Sequence, residues 1–311
     1  MKGEQKVTIR DVTGRDGFQS LKEFIPSSKK LEILSAIGAA GVKNIEATSF
    51  VSPRSIPQLR DARELVPKLP KNKIQYSALV PNSVGAMNAI EAGIDELVLV
   101  ISATNKHNLA NVRRSVSESV RDLDGIFAIA AAHKIVVTVD IAVSFGCPYE
   151  GDVSEKALFN LVDTFANKDA KRIIFADTTG MAIPNQVETM VGKFQNDYSQ
   201  IDLGLHFHNN RGTAMTNLYV ALAAGATTFD TTLGGIGGCP YVPQAAGNLP
   251  TEDVVYMLEE MGVHTGIDLE LIIKAAQSLE RELGYTLPGQ VMKSGPRDPA
   301  TAKKICSFND G

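Results

Sequence analysis

Hydrophobic and polar residues follow two different periods along the chain. Short segments of alternating or continuous apolar residues, such as KVTIRDVT at 6–13 and ELVLVISA at 96–103, predict β-strands. Segments with apolar residues three or four positions apart, such as SSKKLEILSAIGAA at 27–40, predict helices. Predicted strands cover residues 6–13, 44–50, 73–80, 96–103, 134–144, 172–177, 203–208 and 227–233. Predicted helices cover residues 27–40, 57–69, 83–92, 115–133, 154–166, 184–194, 213–224, 251–261 and 268–283.

These strands and helices alternate and form about eight strand–helix units, which favours a closed (β/α)8 TIM barrel of the α/β class. The alternative is a doubly wound open sheet. Its glycine-rich dinucleotide motif does not follow the first strand, where GRDG stands at 14–17. No Pro-, Gly- or Ser-rich linker divides the chain. We therefore predict one catalytic barrel domain over 1–285, with an extra C-terminal helix, and a tail over 286–311 that packs on or extends from the barrel.

Composition and charge exclude several classes of function. The formal net charge of -4 and the pI near 5.8 argue against a protein that binds nucleic acid or an anionic membrane. Three widely spaced cysteines indicate free thiols in a reducing compartment rather than a disulfide framework. We see no secretory signal and no segment with the ~18 consecutive apolar residues of a membrane span. The sequence therefore predicts a cytoplasmic protein.

Reactive side chains collect at the ends of the predicted strands, where the loops of a (β/α)8 barrel form the active site. His206 and His208 stand two positions apart on the seventh strand, so both imidazoles project toward the same face. Together with the carboxylate of Asp16, after the first strand, they predict a divalent metal site, to which Asn248 adds an amide oxygen. We expect Mg²⁺ or Mn²⁺. The alternative is that both histidines are hydrogen-bonded core residues.

Arg15, beside Asp16, is a candidate catalytic residue. Its guanidinium remains charged when buried and can stabilise a developing enolate oxygen. Glu46 on the second strand is expected to orient Arg15 as its counter-ion, and Asp177 ends the sixth strand in the same region. The alternative for Arg15 and Asp16 is a surface ion pair.

Two cysteines are candidates for proton transfer. Cys239 lies in the glycine-dense segment GGIGGCPY at 234–241, which predicts a mobile flap that carries a thiol over a bound substrate. The alternative is that Cys239 is a small buried residue. Cys147, after the fifth strand, is a second candidate.

Four stretches of the chain carry a resemblance to a known family. GRDGFQ at 14–19, EATSFVSP at 46–53, GCPYEG at 146–151 and GGIGGCPYVPQAAGNLPTEDVVYML at 234–258 resemble hydroxymethylglutaryl-CoA lyases. The resemblance extends from about residue 7 to about residue 283. It implies a metal-dependent barrel enzyme that splits 3-hydroxy-3-methylglutaryl-CoA, or a similar thioester, into acetyl-CoA and an oxo acid such as acetoacetate.

The resemblance also implies roles for individual residues. Arg15 would stabilise the thioester enolate, and Cys239 would protonate its carbon. His206 is the family's additional candidate for moving the hydroxyl proton, and Lys22 is a candidate contact for the CoA phosphates. Asp177 and Glu46 would position these groups, and a homo-oligomer, a dimer or larger, is expected. The implied metal ligands are Asp16, His206, His208 and Asn248.

Two departures from the family pattern bear on the substrate. The family usually has an arginine and a tyrosine on strand five, where this chain reads VTVDIA at 137–142 and so carries Asp140. After the histidines the family usually has an aspartate, where this chain has Asn209, Asn210 and Arg211. These changes alter the charge near the acyl group and predict a related hydroxyacyl-CoA or hydroxy acid as substrate. The alternatives are a CoA-independent aldolase or synthase of the same metal-dependent group and a catalytically silent binding barrel.

Overall fold

A computed structural model describes residues 5–238 and 247–305 of the chain. The strands are β1 Thr8–Asp11, β2 Asn44–Ser49, β3 Gln75–Leu79, β4 Glu96–Ser102, β5 Val136–Ala142, β6 Arg172–Asp177, β7 Asp202–Phe207 and β8 Thr228–Thr231. The helices are α1 Ser27–Ala39, α2 Ala62–Leu65, α3 Ser83–Ala92, α4 Asn105–Val112, α5 Val116–His133, α6 Glu155–Ala166, α7 Pro184–Asp197, α8 Ala214–Ala223, α9 Thr251–Glu260, α10 Leu269–Leu283, α11 Val291–Ser294 and α12 Pro299–Ile305. A π-helical turn covers Thr13–Gly17, and 3-10 helices cover Pro57–Leu59, Val66–Lys68 and Leu233–Gly235.

The eight strands form a closed barrel in sequence order, and every neighbouring pair is parallel. Closure is made by β1, which pairs with β2 on one side and with β8 on the other, where Arg10 lies opposite Asp230. The predicted (β/α)8 barrel is confirmed, and the alternative of an open doubly wound sheet is wrong. In this fold the loops that follow the strands surround one mouth of the barrel.

Two regions differ from the elements predicted. The helix expected over 57–69 is divided into two 3-10 segments around the short α2. Pro67 has no amide hydrogen with which to continue the α-helical hydrogen bonds, and this explains the break. Helix α4 was not predicted because its sequence, NKHNLANV, is mostly polar and lacks a periodic apolar face.

The barrel interior contains a layer of buried charged residues beneath the mouth. Arg10 pairs with Asp230 at 2.8 Å, and its other terminal nitrogen lies 4.0 Å from Glu96. Glu96 also pairs with Arg172 at 3.1 Å and accepts a 2.5 Å hydrogen bond from Thr138. These residues come from five different strands, and they can only meet inside the barrel. A buried charge is tolerated when it is paired in this way.

The chain that follows the barrel packs against its last helices. Gln290 and Val291 donate their backbone N–H groups to the carboxylate of Asp253 in α9. Leu287 and Met292 are buried in the same hydrophobic core as α10. Among the residues for which coordinates are described, no helix is long and apolar enough to cross a membrane.

Candidate active site

Asp16, His206 and His208 converge at the mouth of the barrel. The Nε2 atoms of the two imidazoles are 2.9 Å apart. The Oδ2 atom of Asp16 lies 3.9 Å from His206 Nε2 and 3.7 Å from His208 Nε2. All three side chains are buried, and their ligand atoms lie within 4.8 Å of one another. A loop after β1 and the end of β7 therefore direct one carboxylate and two imidazole nitrogens to a common point.

The surroundings set the protonation states of these groups. Burial by itself raises the pKa of Asp16, but the charges of Arg15 and the two histidines outweigh it and lower that pKa to about 2. Burial, reinforced by the neighbouring His206, lowers the pKa of His208 to about 4. Burial also opposes the charged form of His206, but the hydrogen bond and charge of Asp230 more than compensate, so its pKa is raised. Asp16 is thus an anionic ligand and His208 a neutral one near pH 7.

Side chains around the three residues fix their orientation. Asp230 accepts a 3.1 Å hydrogen bond from His206 Nδ1, which leaves Nε2 directed at Asp16. The other oxygen of Asp230 accepts from Arg10 in the barrel interior. Asp16 accepts 2.7 Å hydrogen bonds from Gln19 on Oδ1 and from Asn248 on Oδ2. The centre therefore rests on the buried charged layer below it.

The donor set fits a divalent cation. One ionised carboxylate and two imidazole nitrogens in a buried cluster are typical ligands of a first-row divalent metal. The Oδ1 atom of Asn248 is buried and has no hydrogen-bond partner, so a fourth oxygen donor is available beside Asp16. The alternative, that the histidines are merely satisfied core residues, does not explain this unpartnered oxygen.

The turn that carries Arg15 and Asp16 is held by close backbone packing. Gly14 faces the backbone of Ala47 so closely that a Cβ atom there would overlap the Ala47 carbonyl. Thr13 donates its amide to Asp11 and accepts a hydrogen bond from the amide of Leu233. The π-helical turn is therefore fixed against both β2 and the loop after β8.

Arg15 is clamped by two carboxylates. Its Nε and Nη2 atoms donate to the two oxygens of Glu46 at 2.8 and 3.2 Å, and Nη1 donates to Asp16 at 2.6 Å. Burial disfavours the charged guanidinium, but Glu46 and Asp16 more than compensate and raise the pKa of Arg15. The pair is buried, so the alternative of a surface ion pair for Arg15 and Asp16 is wrong.

A cavity of about 1590 Å³ opens above the cluster. Its inner end is lined by Arg15, Asp16, Asp140, His206 and His208. Lys22 lies on the wall of the same cavity. Small-molecule sites are commonly about 300–1,000 Å³, so this cavity has space for more than a short acid.

Several predicted residues are placed outside this inner group. Asp177 accepts hydrogen bonds from the amides of Met181 and Ala182 at 2.7 and 3.1 Å, and burial raises its pKa to about 6. Its visible contacts therefore position the loop after β6. Cys147 is buried and accepts a hydrogen bond from Thr104. Cys239 lies outside the described residues. Gly238 and Gly247, the described residues on either side of the stretch 239–246, both line the cavity.

The two departures from the family pattern have different positions. Arg211 is exposed and donates to the carbonyl oxygens of Thr179 and Gly180, so its charge does not line the cavity. Asn209 donates its amide to the carbonyl of Gly247. Asp140, in contrast, lies at the inner end.

Two residues that support the site, Asp230 and Gln19, were not predicted from the sequence. Asp230, which orients His206, stands in the otherwise apolar and threonine-rich strand TTFDTTL at 227–233, and a charge in a buried strand was a usable signal. Gln19, which donates to Asp16, is three residues from it in the sequence. A polar residue in a loop gives no comparable signal because most loop residues are polar.

Comparison with known proteins places this architecture among characterised relatives. The family model described as HMGL-like matches residues 6–279. Hydroxymethylglutaryl-CoA lyase YngG of Bacillus subtilis is 39% identical over 93% of this chain and 98% of its own length. The (R)-citramalyl-CoA lyase of Chloroflexus aurantiacus is 36% identical over 95% of this chain and 96% of its own. The structure of an HMG-CoA lyase from Acinetobacter baumannii, in complex with coenzyme A and 3-methylmalate, is 39% identical with a TM-score of 0.91, and the match covers 96% of this chain and 98% of that one.

Proposed function

The chain belongs to the HMGL-like family, and from this membership we propose that it is a divalent-metal-dependent carbon–carbon lyase of hydroxyacyl-CoA thioesters. Its substrate is 3-hydroxy-3-methylglutaryl-CoA or a related hydroxyacyl-CoA, and its products are acetyl-CoA and an oxo acid. The convergence of Asp16, His206 and His208 beside the clamped Arg15 is the observation that supports this proposal most strongly. A silent binding barrel has no need of this arrangement.

Asp16, His206, His208 and the Oδ1 atom of Asn248 would hold the metal ion, which we propose to be Mg²⁺ or Mn²⁺. When bound, such an ion supplies Lewis-acid polarisation of the substrate's hydroxyl and carboxyl oxygens. Asp230 keeps His206 in the tautomer that presents Nε2 to this site. An imidazole that binds the metal through Nε2 is a poor base for the hydroxyl proton, because the lone pair that would accept the proton is used in ligation.

Arg15 would bind the thioester oxygen as negative charge develops on it. Glu46 fixes the orientation of the guanidinium through two hydrogen bonds, so the donor is in place before the negative charge develops. Cys239 would donate a proton to the enolate carbon and so complete acetyl-CoA. Lys22, on the wall of the cavity, would contact the CoA phosphates. Asp177 would act indirectly, by positioning the loop after β6.

We further propose that the enzyme acts in the cytoplasm as a homo-oligomer. The free, buried thiol of Cys147 supports a reducing compartment. Two exposed apolar side chains, Met261 at the end of α9 and Leu271 in α10, support a contact between subunits. Light scattering of the purified protein measures the oligomeric state directly, and a monomer at micromolar concentration would contradict this part of the proposal.

The decisive experiment measures acetyl-CoA release from hydroxymethylglutaryl-CoA and citramalyl-CoA. Each thioester is assayed with Mg²⁺, with Mn²⁺ and after addition of EDTA. We expect release from at least one thioester and its loss with EDTA. Turnover of free hydroxy-oxo acids without turnover of thioesters would instead establish a CoA-independent aldolase and refute the proposal.

A further inference from the structure

Asp140 at the inner end of the cavity is a buried carboxylate with an unsatisfied oxygen. It lies in β5, is 5% exposed and lines the cavity together with Arg15 and the metal-ligand group. Its Oδ2 atom is 3.9 Å from Arg15 Nη2, and its Oδ1 atom has no hydrogen-bond partner. Buried oxygens without partners are uncommon in proteins because the loss of water is not compensated.

No described side chain donates a hydrogen bond to the Oδ1 atom of Asp140. Arg15 approaches the other oxygen, Oδ2, at 3.9 Å and directs three of its N–H groups at Glu46 and Asp16. The cavity-lining residues on β5 and on the two neighbouring strands, Val100, Ala142 and Ala176, have no side-chain donors. The geometry therefore leaves the cavity as the side from which a donor can reach Oδ1.

We propose that Asp140 is the general base of the reaction: its free carboxylate oxygen accepts the hydroxyl proton of the substrate while the carbon–carbon bond breaks. This inference rests on the proposed lyase function, because every hydroxyacyl-CoA substrate of that reaction carries such a hydroxyl. The O–H electron pair forms the new carbonyl bond of the oxo acid. The pair of the broken carbon–carbon bond remains on the carbon next to the thioester, as the enolate, and the proton resides on Asp140 until solvent removes it.

The electrostatic surroundings suit this role. Charged or titratable groups face Asp140 from several elements: Arg15 after β1, Glu46 on β2, His206 on β7 and Asp230 on β8. Burial is the largest influence and raises the pKa of Asp140 to about 6, which suits a group that exchanges protons near neutral pH.

The test compares cleavage with a partial reaction that needs no hydroxyl base. The lyase should also exchange the methyl hydrogens of acetyl-CoA with D₂O, because this exchange requires only the enolate end of the site. We expect Asp140→Asn to lower kcat for cleavage at least ~100-fold, in the range for loss of a general base, while the exchange rate stays within about threefold of wild type. We also expect formate to raise the cleavage rate of Asp140→Ala at least ~10-fold by replacing the missing carboxylate.

Asp253→Asn is a matched control. Burial also raises the pKa of Asp253, but both of its oxygens accept backbone N–H groups, from Gln290 and Val291, and it does not line the cavity. Asp253→Asn should retain both cleavage and exchange. Metal content and melting temperature, measured for every variant, separate misfolding from loss of the base.

The outcomes distinguish the two levels of inference. The assignment of Asp140 is overturned, while the lyase function stands, if Asp140→Asn cleaves within threefold of wild type. It is also overturned if Asp140→Asn loses exchange together with cleavage. Asp140→Ala that folds and binds metal but is not rescued by formate also counts against a base at this position. Wild-type protein that neither cleaves thioesters nor exchanges acetyl-CoA hydrogens overturns the proposed function itself.

Discussion

Glu252 provides a quantitative test of how burial in this barrel controls ionisation. It is the second residue of α9 and is fully buried. Its Oε2 atom accepts a 3.1 Å hydrogen bond from the amide of Gly234, at the start of the glycine-rich loop, and its Oε1 atom has no partner. The pKa of Glu252 is raised from 4.5 to about 8, mainly by burial and next by the negative charge of Asp253.

The raised pKa determines the sign of the pH dependence. The folded protein holds the Glu252 proton at a pH where the unfolded chain has released it, so this group favours folding at low pH. Its contribution is complete below pH 4.5 and is lost progressively as the pH rises from 4.5 to about 8. At ~1.4 kcal/mol per pKa unit, the whole change in the free energy of unfolding is about 4–5 kcal/mol.

Glu252→Gln removes the ionisation with little change of shape. The side-chain oxygen of Gln can still accept from Gly234, so the variant should become more stable than wild type as the pH rises. We would measure urea unfolding of both proteins from pH 5 to pH 8.5 in EDTA, followed by circular dichroism because the chain has no tryptophan. Asp11 and Asp177 also have raised pKa values, but they are present in both proteins and cancel in the difference.

Glu260→Gln serves as the control. It removes a carboxyl group from an exposed position at the end of the same helix and so measures the effect of losing one negative charge from α9 without the burial of Glu252. A difference between wild type and Glu252→Gln that is constant across the pH range would refute the argument, because it would show that Glu252 ionises alike in the folded and unfolded states.

Three further predictions concern the active site. His208→Ala should abolish stoichiometric metal binding and turnover but leave the circular dichroism spectrum unchanged; retained metal in elemental analysis would remove the proposed centre. Asp230→Asn should weaken metal affinity ~10–100-fold, measured by titration with Mn²⁺, because His206 loses its orienting carboxylate. An unchanged affinity would show that Asp230 only pairs with Arg10. Arg15→Lys should lower kcat ~10²–10³-fold, since an ammonium group cannot reproduce the planar clamp, and a kcat near wild type would exclude Arg15 from enolate stabilisation.

The proposed metal ligands Asp16 and His206 are oriented by hydrogen bonds with neighbouring side chains. Asp16 is held by Arg15, Gln19 and Asn248, and His206 is held by Asp230. Asp16 and His206 therefore have fixed orientations before a cation arrives, and this reduces the cost of assembling the centre. The same arrangement predicts that changes to supporting residues affect metal binding more than they affect the fold.

The local pattern of the chain determined the architecture and the ligand type. The strand and helix periods are properties of short segments. Eight strand–helix repeats indicated a parallel sheet that closes into a barrel. His206 and His208 could be placed on one face because the side-chain period of a strand is two. Helix 57–69 was the main error, since Pro67 overrode the apolar periodicity that predicted it.

Only the tertiary structure decided which side chains meet. Arg10 and Asp230 are 220 positions apart, and Asp16 and Asn248 are 232 positions apart, yet each pair is within hydrogen-bond distance. No local pattern encodes such contacts, because barrel closure brings the first and last strands together. The same holds for Asp140: its sequence position showed a charge on strand five, but only the packed barrel leaves its Oδ1 atom without a donor at the wall of the cavity. Partner identity in a closed barrel is thus a property of the whole sheet, whereas strand and helix identity are properties of each segment.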